Sequence, residues 1–327
     1  MRPTTLMRVL LLAGALLAAA ALTDVRAVLD AVSRADPAWL LLVGIATGVS
    51  TVAKALTWRG CLAALPGAGP VRRTDLLGPF LVGALVNAGT PARAGDALRV
   101  TMARRAVRRR GGDVGLAEVA GSVVAEHLVS TAVWGALVVC VAPLLPLPAE
   151  VRAAAAAIGA AAVALIVVAA RGGTAPRAPL PAGRIRGAVR DAVSAIHHAA
   201  CAIRGPRVFA EVTASAVLHW VGQWAAVWAV LAGCGMPGLG PLVAAGVVVA
   251  VALAHALPVT PGGIGTVQAG VALPLIAAGV AGPEALAAGV VLQGVETAVH
   301  AAAGLLFLTR PGRTPAGSAA DEHLPPA

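Results

Sequence analysis

Two carboxylates fall in the middle of apolar stretches, where a charge is costly. Glu126 lies within the run 117–142 and Glu296 within 285–309. Each sits 11 residues beyond the start of its expected crossing, at 115 and 285, so roughly 16 Å along a helix and near the bilayer centre. An ionisable group at that depth costs several kcal/mol and marks a functional candidate facing the protein interior. It would hold a cationic group or a coupling proton. The structural alternative is a buried pair, Glu126 with Arg93, or a protonated carboxyl bonded to backbone. Thirty-six residues before each carboxylate begins a similar segment: Thr90-Pro91-Ala92-Arg93-Ala94-Gly95, and Thr260-Pro261-Gly262-Gly263-Ile264-Gly265. Proline removes an N–H and glycine permits an unwound chain, so both segments read as helix breaks. Backbone N–H groups where the helices restart, at Gly95 and Gly265, would favour an anionic group such as a lipid phosphate. Arg93 and Arg99 beside the first break would add charge-assisted contacts or, alternatively, snorkel to the interface.

These residues need membrane helices to position them. Of the 327 residues, 58% are hydrophobic and 12% charged, and mean hydropathy is +0.85. That is half the charge of an ordinary soluble domain, which excludes a soluble enzyme, a coiled coil and a disordered chain. The net charge of +10 does not indicate a nucleic-acid partner, because no basic patch is interleaved with stacking aromatics. Lys54 is the single lysine beside 24 arginines, which reads as composition bias. The four cysteines show no C-x-x-C and no ligand spacing, so neither a metal nor another cofactor is expected. Cys140 and Cys234 fall near one face and read as packing residues more than as a pair. His219, His255 and His300 read as helix-packing residues rather than a proton relay.

Apolar runs occur at 6–22, 38–57, 117–142, 153–170, 208–232, 241–257, 264–281 and 285–309, each approaching the length of a crossing. The first reads as an uncleaved anchor in preference to a signal peptide. The run 76–90 is too short to cross, and 76–103 is expected to dip in and return. With the N-terminus inside, segments 1–8, 54–75, 92–114, 171–207 and 310–327 hold 22 basic residues and the outside segments three, Arg26, Arg34 and Arg152. Positive-inside bias then puts both termini in the cytoplasm and the protein in the cytoplasmic (inner) membrane. Segment 184–204 has an apolar helical stripe and should lie along the headgroups. The cluster Arg104-Arg105 with Arg108-Arg109-Arg110 reads as ordinary positive-inside charge more than as specific lipid recognition.

The 170-residue offset between the two Thr-Pro segments also carries Glu126 onto Glu296 and 38–57 onto 208–227. That is an internal duplication whose copies lie in opposite orientations. The expected fold is an all-α, polytopic integral membrane protein with an inverted-topology repeat and broken or re-entrant helices. Its parts are a first helix and outer loop (1–37), repeat one (38–145), a linking helix and amphipathic segment (146–207), repeat two (208–310) and a disordered tail (311–327).

Asn87-x-x-Thr90-Pro91-x-Arg93-x-Gly95-Asp96-x-x-Arg99, then Glu126-His127, then Pro258-x-Thr260-Pro261-Gly262-Gly263-Ile264-Gly265, resembles the lysylphosphatidylglycerol synthase transmembrane-region family over about 38–310. The chain departs from the family pattern at Asp96, where Glu is usual, and at His127, where Arg is frequent. It departs again at Gln268, where Glu is common, and at Gln293 and Glu296, where Arg is often found. The resemblance implies translocation or handling of a lipid with an anionic or modified headgroup, with Asn87, Thr90, Arg93, Gly95, Asp96, Arg99, Glu126, His127, Thr260, Pro261, Gly262, Gly263, Gly265, Gln268 and Glu296 lining its path. It also implies that a separate lipid-modifying enzyme is a partner. The aminoacyl-transfer domain is not expected, since a short Pro- and Ala-rich tail follows residue 310. No nucleophile–base pair points to an enzyme. The competing expectation is an accessory subunit or transferase of lipid-linked glycan or aminoacyl-lipid synthesis.

Overall fold

The computed structural model describes residues 33–89, 94–144, 149–171, 205–256 and 265–309. The segments 1–32, 172–204 and 310–327, with the first expected helix, the amphipathic stretch and the tail, lie outside the described residues. So do Thr90-Pro91-Ala92-Arg93 and residues 257–264, which carry Thr260, Pro261, Gly262 and Gly263. Described residues form nine α-helices and no strand: α1 Pro37–Ala63, α2 Arg73–Gly89, α3 Ala94–Arg108, α4 Leu116–Val141, α5 Ala149–Arg171, α6 Pro206–Gly233, α7 Gly240–Ala256, α8 Thr266–Ala277 and α9 Gly282–Thr309. Five helical stretches among them are long and apolar enough to cross a membrane. Local chemistry sets their limits. Asp36 caps α1 by accepting from the Ala38 N–H at 2.9 Å, with Pro37 pre-set for the first turn. The inner arms α3 and α8 both stop at a glycine in the left-handed region, Gly111 (φ 80°) and Gly279 (φ 90°), where other residues are strained.

Helices α2 and α3 form a hairpin that returns to the end where it began. Arg110, just past α3, grips Asp75 in the first turn of α2 through two hydrogen bonds, Nε to Oδ2 at 2.7 Å and Nη2 to Oδ1 at 2.9 Å. The same end holds the last turns of α1, since Arg59 Nε donates to the Val71 carbonyl at 3.1 Å. It also holds the end of α9, because Phe307 lies directly against Gly78 of α2. Helix α9 is 28 residues long, about 42 Å, so its start lies at the far end of the bundle. Helix α8, at 12 residues only about 18 Å long, is joined to that start by a short turn. Helix α7 begins at the far end too, just after α6. There Trp224 Nε1 donates to the Pro241 carbonyl at 2.8 Å, and Trp39 of α1 packs edge-on against Trp228 at 6.0 Å. The second hairpin, α7–α8, therefore enters from the end opposite to the first.

Lipid tails are as apolar as the helices, so close packing of small residues holds such a bundle together. Gly135 of α4 and Gly159 of α5 approach so closely that a Cβ on either would strike the other's backbone. Gly222 of α6 sits against Ser50 and Ala46 of α1 in the same way. On α1 the pattern is that of a soluble helix turned inside out. Leu41, Ile45, Val49 and Val52 form the exposed stripe, while Thr47, Ser50, Thr51 and Thr57 are buried. Cys140 and Cys234 are free thiols.

Candidate functional site

The first hairpin delivers a cation to the buried carboxylate. Gly95 on α3 meets Gly83 on α2 with no room for a Cβ, and this contact brings the two arms together. Asn87 then joins them: its Oδ1 accepts from the Gly95 N–H at 2.8 Å, and its Nδ2 donates to Asp96 Oδ1 at 3.1 Å. One turn on, Arg99 is buried. Its Nε lies 3.1 Å from Asp96 Oδ1 and its Nη2 3.8 Å from Glu126 Oε2. The guanidinium sits beside two rings, with Cζ 5.0 Å from the Trp58 centroid and 5.3 Å from that of Phe80. Such cation–π contacts strengthen where water is excluded. Trp58 is itself held by its Nε1–H donating to Ser122 Oγ at 3.0 Å.

Glu126 is completely buried, about 15 Å along α4 from Leu116. His127 Nδ1 lies 3.1 Å from Glu126 Oε2 and 2.8 Å from the Val123 carbonyl, so one ring nitrogen faces two acceptors. Neither Glu126 oxygen has an aligned hydrogen-bond donor among the described residues. The carboxylate is therefore compensated by the charges of Lys54 and Arg99, with the His127 ring beside it, and the field of Lys54 also reaches His219 and His300.

From Lys54 a polar seam runs to the second half. Ser50 Oγ lies 2.7 Å from His219 Nδ1 on α6. Thr51 Oγ1 lies 2.9 Å from His300 Nε2 on α9; because Thr51 donates to the Thr47 carbonyl at 2.7 Å, it accepts from His300. One turn beyond His219 is Gln223, which hydrogen-bonds the half-buried Glu296. Glu296 in turn stands one turn before His300. Glu296 makes no ion pair among the described residues. On α8, Gln268 Oε1 accepts from the Gly265 N–H at 2.5 Å while its Nε2 donates to Gln293 Oε1 at 2.6 Å.

Several expectations change. The amides at Gly95 and Gly265 are not open to an anion, because Asn87 and Gln268 occupy them. Asn87, Gly95 and Asp96 thus act as the stitching of the first hairpin. Arg99 does not snorkel; ring faces and two carboxylates hold it inside. Its position gives Glu126 a partner other than Arg93, the one named in the structural alternative, which lies outside the described residues. Glu126 and Glu296 differ in burial and in compensation. His219 and His300 do more than pack, since both bridge to α1. Ser50, Thr51, Lys54 and Gln223 were not singled out for the site by the sequence. Lys54 carried a signal, as the one lysine in an arginine-rich chain and on an apolar helix. Among the described residues, no group of three or more His, Cys, Asp or Glu side chains is arranged to hold a metal ion.

An all-helical, multi-pass membrane protein with two hairpins and buried charge between them is the class defined by this geometry. The chain belongs to the lysylphosphatidylglycerol synthase TM region family, whose model matches residues 5–304. That family ties it to lipid handling. No curated protein matches the chain.

Proposed function

We propose that the chain is a flippase-like transporter that moves a lipid with a modified headgroup across the cytoplasmic membrane. Both termini are cytoplasmic in this reading, and a separate enzyme supplies the modified headgroup. The observation that carries it is the pair of hairpins entering from opposite ends, with a polar seam between Glu126 and Glu296. Broken helices in inverted repeats commonly frame a midplane site with alternating access. The helix order supports such a duplication: shifting α1, α2, α3 and α4 by 170 residues lands within about four residues of the bounds of α6, α7, α8 and α9. Glu126 already has its cations, so Glu296 is the acid free to meet a cationic headgroup. The buried groups are paired for holding charge rather than for attack on a bond, which favours movement over chemistry.

The test is headgroup accessibility in proteoliposomes carrying labelled phospholipids, read with a membrane-impermeant quencher. Wild type should expose inner-leaflet label above the protein-free baseline, and the Glu126→Gln/Glu296→Gln variant should stay at it. Glu296→Gln alone should remove any preference for a cationic aminoacyl lipid. Equal exposure by wild type and double variant would sink the proposal, as would covalent change of the headgroup by the purified chain.

A further inference from the structure

A cavity of about 480 Å³ opens at the mouth of the first hairpin, away from the Glu126 cluster. Arg72, Arg105, Arg109 and Arg110 line it together with Asp75, and Pro79, Met102 and Phe307 form an apolar wall. Its charges do not cancel. Both Asp75 oxygens are taken by Arg110, at 2.7 and 2.9 Å, and Oδ2 also accepts the Arg72 backbone N–H at 3.0 Å. The side chains of Arg72, Arg105 and Arg109 make no contact ion pair with an acid among the described residues, although the charge of Arg72 reaches Asp75, and all three are exposed. Three guanidinium groups thus face one cavity, and their flat, forked donors suit the oxygens of a phosphate.

Its place in the bundle narrows the ligand. Arg72 directly precedes α2, Arg105 and Arg109 close α3, and Phe307 lies two residues before the end of α9. The cavity is therefore at the level where helices end and headgroups begin, not at the midplane. The apolar wall adjoins the guanidinium groups, as a ligand with a charged head and an apolar remainder requires. The Arg110–Asp75 pair fixes the fourth arginine as part of the frame.

We propose that this cavity binds the phosphate of an anionic glycerophospholipid whose phosphate is terminal and accessible. The site goes beyond the transport reading and stands apart from it, since none of its residues belongs to the Glu126 seam. A free phosphate shares the chemistry of the head but gains nothing from Met102 and Phe307.

Binding is measured on the full chain in uncharged detergent, with a fluorescent phosphatidic acid as probe and phosphatidylcholine and inorganic phosphate as competitors. Wild type should hold phosphatidic acid, resist phosphatidylcholine, and keep the probe in millimolar inorganic phosphate. Arg105→Gln/Arg109→Gln should weaken binding at least about tenfold, the scale of losing two charge-assisted contacts. Arg105→Lys/Arg109→Lys, which keeps the charge, should recover part of it and report on folding. Arg73→Gln/Arg108→Gln removes the same charge outside the cavity and should leave binding within about twofold. Glu126→Gln should bind like wild type even where it abolishes transport, so the two readings fail separately. The proposal is overturned if the Arg105/Arg109 variants bind as tightly as wild type, or if the Arg73/Arg108 variant loses as much. Full displacement by inorganic phosphate would overturn the lipid assignment.

Discussion

Replacing Arg99 with leucine strips a buried carboxylate of its nearest guanidinium. Arg99→Leu removes the 3.8 Å contact to Glu126, the 3.1 Å contact to Asp96 and the stacking on Trp58 and Phe80. Removing one partner of a buried pair costs about 3–5 kcal/mol, chiefly because the other charge is left uncompensated. Here Lys54 and His127 remain near Glu126, so the expected loss is at the lower end, about 3 kcal/mol. Glu126→Gln leaves Arg99 with Asp96 and both rings, and should cost about 1.5 kcal/mol. If the charges act on each other, the double variant Arg99→Leu/Glu126→Gln costs about 3 rather than about 4.5 kcal/mol, a coupling of about 1.5 kcal/mol. Equilibrium unfolding of the full chain in mixed micelles, with all four proteins in one titration series, reads this cycle directly. Additivity within about 0.5 kcal/mol would refute the reasoning, and Arg99 would then matter for packing alone.

Two further outcomes follow from the first hairpin. Gly95→Ala puts a methyl group into the Gly83 carbonyl and the Asn87 side chain, so it should separate α3 from α2 and cost about 1–3 kcal/mol in the same unfolding assay. Burial raises the Asp75 carboxyl, but the Arg110 hydrogen bond, the Arg72 backbone N–H and the charges of Arg110 and Arg72 outweigh it and hold the group below its ordinary 3.8. The stability from this pair is thus complete above pH 3.8 and fades as pH falls through the lower folded value. Asp75→Asn should be less stable than wild type at pH 7, with no change in that difference between pH 5 and 8, as followed by unfolding at each pH.

The long helices were legible because their signal is physical length. Runs 117–142 and 208–232 became Leu116–Val141 and Pro206–Gly233, with bounds moved by one or two residues. The run 38–57 ends six residues before α1 does, and Lys54 and Arg59 belong to the segment 54–75 expected on the cytoplasmic side. Both stay on α1, with Lys54 on the seam and Arg59 tied to the Val71 carbonyl. The segment 76–103, expected from charge to dip in and return, falls on the hairpin α2–α3, whose mouth the Asp75–Arg110 contact closes. What sequence could not reveal was which polar group faces which. Gly95 looked like an open helix start because Asn87 reaches it only once the chain has folded back, whereas Gln268 caps Gly265 from three residues on, a local contact that the spacing itself offers. Arg99 looked as free to snorkel as Arg93, because the rings that trap it, Trp58 and Phe80, come from α1 and α2.

The duplicated helix order does not carry duplicated chemistry, and that difference bears on how such a bundle tolerates charge. The 170-residue offset that carries Glu126 onto Glu296 carries Lys54 onto Trp224, Arg99 onto Ala269 and His127 onto Thr297. Neither Lys54 nor Arg99, the cations near Glu126 among the described residues, has a basic counterpart at that offset. Amides stand there instead: Gln223 on Glu296, and the Gln268–Gln293 pair beside it. A fully buried carboxylate needs compensating charge, whereas a half-buried one can be met by a neutral amide and by whatever enters from the bilayer or water. Glu126, with no exposed surface, has the former, and Glu296, of intermediate exposure, has the latter. The two hairpins thus offer unlike faces to the space between them, one beside a carboxylate met by cations and one beside a carboxylate met by amides.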